Sequence, residues 1–159
     1  MLRATTQLPA GHAQGPAFDS VVLDHDQRRL RRRLLPLQGG GEVMVDFPQT
    51  VTLDHLGALQ LDDGRLVEII AAPEHLYEVL GRDAAHLVRL AWHIGNRHTS
   101  AQLEAGRILI KRDHVLKPML EGLGARIVEV HEPFYAEHGA YHSHADSGHA
   151  DSGHALLAR

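Results

Sequence analysis

The chain has 159 residues and a formal charge of −4, enough length for one ordinary domain or two small ones. It carries no cysteine, which excludes disulfides, thiolate metal sites and cysteine nucleophiles and makes the cytoplasm the expected compartment. No apolar run approaches the roughly 18 residues of a membrane span, residues 1–16 lack a signal-peptide core, and the charge argues against a nucleic-acid partner.

Residues 1–72 read as a β-rich unit. Val43, Val45 and Phe47 alternate with Glu42, Met44 and Asp46, the period of a half-buried strand. Residues 18–23 form another short candidate. Leu59 and Leu61 precede Asp62-Asp63-Gly64, a tight turn leading into a strand over 66–71. Several short strands at this spacing predict a small β-barrel or sandwich. Arg28, Arg29, Arg31, Arg32 and Arg33 are the basic cluster here. They suit a solvated strand edge or a docking face for an acidic protein better than RNA, because no aromatic residue is interleaved to stack on bases. His12, His25 and His55 fall near turns and are expected at the surface.

Residues 73–135 predict an α+β unit. A strand over 76–80 and a turn at Gly81-Arg82 lead to Asp83, a residue type that caps helices. Ala84, Leu87, Val88, Ala91 and Ile94 then share one helical face. Gly95 suits the left-handed residue that ends a helix, with Asn96 and Arg97 completing the turn. A hairpin over 101–104 and 107–111 follows. Asp113 is placed to cap a second helix with Val115, Leu116, Met119, Leu120 and Leu123 inward and Gly124 closing it. Pro118 should distort its start. A last strand spans 125–130. The order β-α-β-β-α-β is the ferredoxin-like arrangement, whose middle strands here lack the aromatic residues of RNA-binding versions.

The 14 histidines are the composition's strongest statement. Neutral imidazole is the commonest ligand for borderline divalent metals, and a site without thiolates suits nickel, copper(II), cobalt or zinc. His98 lies just past the first helix, on backbone fixed by packing behind it. One imidazole holds a metal poorly, and a two-fold dimer would bring two copies of His98 together. His93, one helical turn before Arg97, should support the turn. His114 is the accessory ligand candidate of the folded region, whereas His75 and His131, at strand ends, are expected to be structural or surface residues. Residues 136–159 form a polar tail in which His144-Ala-Asp-Ser-Gly is repeated from His149 and begun again at His154. Such a composition buries no core. With His138 and His142 these residues are candidate metal collectors.

The run Leu90-Ala91-Trp92-His93-Ile94-Gly95-Asn96-Arg97-His98, followed by Gln102, resembles the signature of the UreE urease accessory proteins, a family of nickel metallochaperones. Asp113-His114-Val115-Leu116 with Met119-Leu120 and Gly124 is similar to its second helix. Asp24-His25-Asp26 with Arg28, Arg29 and Arg32, and Asp63-Gly64-Arg65-Leu66-Val67-Glu68 through Ala72-Pro73-Glu74, resemble its first half. The resemblance implies a cytoplasmic homodimer with one Ni(II) between two His98 side chains, completed or fed by the tail. Zn(II) or Cu(II) could also occupy such a site in vitro. It also implies an N-terminal partner-docking domain (1–72), a ferredoxin-like metal-binding and dimerisation domain (73–135), and delivery to apo-urease through the urease accessory GTPase complex. Arg112 and Lys117-Pro118 depart from the family pattern, the former standing where some members have a histidine. Three alternatives remain: a general divalent-metal storage protein, a ferredoxin-like RNA binder, and a metallohydrolase built on His98, Asp113 and His114. The last lacks any motif of the H-E-x-x-H kind.

Overall fold

The computed structural model describes residues 1–138. Six strands, β1 (Leu2–Leu8), β2 (Asp19–Leu23), β3 (Arg29–Pro36), β4 (Glu42–Thr52), β5 (Ala58–Leu61) and β6 (Leu66–Ala71), form one sheet in the order β2-β6-β5-β1-β4-β3. The sheet curls over a core to which every strand contributes, from Ala4 and Val21 to Val45, Leu59 and Ile69. The alternation in β4 holds, with Val43, Val45 and Phe47 buried, and Gly64 closes the β5–β6 turn by donating to the Leu61 carbonyl at 2.9 Å. Two strands have no clear sequence signal. β1 buries only Ala4 fully, and β3 carries the arginines at the sheet edge, burying Leu30 and Leu35.

The second sheet contains β7 (Pro73–Leu80), β8 (Ala101–Leu103), β9 (Ile108–Lys111) and β10 (Arg126–Pro133) in the order β10-β7-β9-β8. Helices α1 (Ala84–Asn96) and α2 (Leu116–Gly122) cover one face, giving the expected ferredoxin-like unit. Leu87, Leu90 and Ile94 of α1 pack with Tyr77, Val79, Ile108 and Ile110. Val88, expected inward, is 70 % exposed, because the buried face is centred on Leu90. Asp83 accepts a hydrogen bond from the His86 amide at 2.7 Å and caps α1.

Asp113 also caps as expected, accepting from the amides of Val115 (2.7 Å) and Leu116 (3.0 Å). These bonds hold its carboxyl below the usual range, helped by the nearby charges of His114 and Arg97. Pro118 is only the third residue of α2, where its missing N–H would have had no partner inside the helix. Val115 precedes the helix and is exposed. Gly124, at φ +90°, closes α2 while the Ala125 amide donates to the Leu120 carbonyl at 3.0 Å.

The two sheets are tied together around Ala72, whose amide donates to the Leu23 carbonyl at 2.8 Å. Lys111 pairs with Asp26 at 2.7 Å, and the His25 amide donates to Glu74 at 2.9 Å. Arg28 corrects an expectation. It is 3 % exposed, donates to the Phe134 carbonyl, and lies against the Tyr135 ring, so its charge is spent inside the junction. His25 and His55, expected at the surface, pack their rings against Phe134 and Tyr135.

Candidate metal centre

The helix end is where the chain departs most usefully from expectation. Gly95 remains inside α1, and the residue with left-handed backbone is His98, at φ 55°. A side chain there is uncommon and costs on the order of 1 kcal/mol or more. The turn is closed by the Arg97 amide to the Ile94 carbonyl (3.1 Å) and the His98 amide to the Gly95 carbonyl (3.0 Å). His98 is exposed. It sits at the negative end of the helix dipole, which favours a cation.

His98 lines an open depression of about 340 Å³ together with Ala91, Gly95, Ser100, Leu103, Glu137 and His138. Glu137 and His138 arrive there because the chain leaving β10 runs back along β8. The Gln102 side-chain oxygen accepts from the Tyr135 amide, and the Ala101 carbonyl accepts from the Glu137 amide, both at 2.8 Å. Gln102, expected to support the metal loop, here holds the chain leading into the tail. Glu137 carries no sequence signal, since what brings it here is a backbone bond between distant residues.

The other candidates are placed less centrally. His93 meets the Trp92 ring edge-on at 5.1 Å, Asn96 and Arg97 are exposed on the turn, and His114 is exposed beside Asp113, outside the depression. Arg29, Arg31, Arg32 and Arg33 are exposed around the edge strand β3 of the first sheet. His142, His144, His149 and His154 lie outside the described residues. Among the described residues, no group of three or more histidine, aspartate or glutamate side chains is gathered closely enough to hold a metal ion.

A histidine missed as a structural element is His86. Its Nδ1 accepts from the Arg82 amide at 2.9 Å, which places the proton on Nε2, and Nε2 donates to the Leu123 carbonyl at 2.8 Å. It locks the start of α1 to the end of α2.

On the outer side of α1, Ala85, Val88, Trp92 and Gly95 fall at helical spacing and are all exposed. Val88 and Trp92 are 70 % and 65 % exposed, and Leu103 at 48 % extends the apolar surface to the depression.

Two family models cover the chain in order: the N-terminal domain of the UreE urease accessory protein over residues 1–72 and its C-terminal domain over residues 74–156. The urease accessory protein UreE of Rhizobium rhizogenes is 53 % identical over 144 residues, covering 91 % of this chain and 86 % of its own length. That of Mesorhizobium japonicum is 56 % identical over 140 residues (87 % and 71 %), and that of Brucella anthropi is 52 % identical over 140 residues (86 % and 78 %). With both halves matched in order and identity above one half across most of its length, the chain belongs to the UreE family of urease accessory proteins.

Proposed function

We propose that two copies of this chain meet along the outer side of α1 and hold one nickel ion between their His98 imidazoles. As a member of its family the chain is a nickel-delivering accessory protein of urease and not an enzyme. Nickel is its cargo, and a carrier needs ligands that capture and release. The observation that carries the reading is the position of His98, which among the described residues belongs to no gathered group of three or more ligands, at the end of an exposed apolar stripe containing the chain's one tryptophan. An apolar stripe of this kind marks an interface, and a two-fold axis beside His98 would double the donor set. Gly95, inside the helix at a cost of about 1 kcal/mol relative to alanine, leaves room for the approach.

In this reading residues 73–135 bind metal and dimerise. The tail, residues 136–159, collects ions through His138, His142, His144, His149 and His154 and passes them to His98, beside which it starts. His114 is at most an accessory ligand. Arg29, Arg31, Arg32 and Arg33 form a docking face on residues 1–72 for the urease accessory GTPase complex and apo-urease in the cytoplasm. Among the described residues no helix is long and apolar enough to cross a membrane.

Crystals grown with nickel test the arrangement. Anomalous difference density on a two-fold axis between two His98 rings is expected. Density confined to other histidines, with the two His98 rings apart, would contradict it.

A further inference from the structure

His75 on β7 and His131 on β10 are directly opposite one another in the antiparallel ladder. Their rings are stacked, with centroids 4.4 Å apart and planes at 16°, and both residues are exposed. They share the sheet face of Tyr77, Val79 and Ile127, which pack beneath the helices. At His75 and His131 that cover has ended and the face is open to solvent.

We propose that His75 and His131 form a second, two-imidazole site for a borderline divalent cation, separate from His98. Two nitrogens bound cis on one such ion lie roughly 3 Å apart. Opposing side chains on a ladder bring their Cβ atoms within about 5.5 Å, so a modest turn of two exposed rings reaches that spacing. The strands fix both backbones through eight paired residues, from Arg126 opposite Leu80 to Pro133 opposite Pro73. Little order remains to be imposed when the ion arrives. The nearby cation, Arg112, is occupied: it donates to the Leu76 and Val130 carbonyls (3.2 and 3.3 Å) and lies 3.7 Å from the Glu129 carboxylate. Among the described residues no third side-chain ligand is gathered there, and water completing the coordination suits an exchangeable holding position better than a tight site.

Nickel chloride titrated into the full chain, followed by NMR of the histidine ring nitrogens, tests the proposal. The rings of His75 and His131 should broaden together. In His75→Ala the nickel concentration that half-broadens His131 should rise roughly a hundredfold, because the second donor's effective concentration is lost. His131→Ala should do the same to His75. His98→Ala should leave the paired response intact while removing the response at its own position. The proposal is overturned if neither ring responds, if His131 responds equally in His75→Ala, or if His98→Ala abolishes the paired response.

Discussion

Gln102 accepts a hydrogen bond from the Tyr135 amide at 2.8 Å, and this one bond helps decide where the tail begins. The next anchor, Glu137 to Ala101, sets His138 into the depression of His98. Gln102→Ala should cost about 1–2 kcal/mol of stability, since it also removes the donation from the Gln102 amide to the Glu104 carboxylate at 2.9 Å. It should also weaken nickel retention while leaving the dimer assembled. Equilibrium denaturation and a nickel competition assay with a chromogenic chelator would read the two effects separately.

The backbone at His98 makes an unusual stability prediction. Glycine adopts φ 55° without strain, and its greater freedom in the unfolded chain opposes that gain. Metal-free His98→Gly should therefore melt within about 1 kcal/mol of the original chain, or above it. Nickel should raise the melting temperature of the original chain much more than that of the variant, which keeps only weaker sites.

Trp92 should report and control assembly. Trp92→Asp places a charge in the proposed interface and should weaken association by about 2 kcal/mol or more. Sedimentation at graded concentrations measures this. The variant should lose tight nickel binding with its partner, although His98 is untouched. In the original chain, the fluorescence of the single tryptophan should shift to the red on dilution as the indole meets water.

His86→Ala removes the partner of one amide and one carbonyl, and each orphaned group costs about 1–3 kcal/mol when buried. A loss of about 2–4 kcal/mol is expected in chemical denaturation. Nickel stoichiometry of the folded variant should be unchanged, since this imidazole is a tie between helices.

Much of this was legible from pattern. The strand alternation in β4, the turn at Gly64, the caps Asp83 and Asp113 and the closing Gly124 all depend on neighbours in sequence. What was not legible depends on distant partners. β3 buries two leucines among arginines because it lies at an edge, and Arg28 is drawn inward by a carbonyl at Phe134. The left-handed residue fell at His98 instead of Gly95 because α1 continues through Gly95 to Asn96. Glu137 reaches the candidate site through a contact no local signal encodes.

Acidification should loosen the junction between the two sheets. Burial beside Phe134 pushes the His25 imidazole below its ordinary value of 6.5, outweighing the pull of the Asp26 carboxylate 3.5 Å away that would raise it. The folded chain thus prefers the neutral ring, and the unfolded chain takes up the proton first. This contribution is present above pH 6.5 and is lost as pH falls from there through the lower folded value. Asp26, held below 3.8 chiefly by its bond to Lys111, loses its contribution only in stronger acid. His25→Phe keeps the packing and removes the titration. Its denaturation midpoint should change less than that of the original chain between about pH 7 and pH 5.

The shared ion is tested most directly by calorimetric titration of nickel into the original chain, into His98→Ala, and into a mixed dimer carrying one of each. The tightest ion should bind at a ratio of one per two chains in the original. It should weaken sharply in the mixed dimer and be absent when both copies lack His98. An unchanged tightest site in His98→Ala, or a ratio of one ion per chain that the mixed dimer merely halves, would contradict the account.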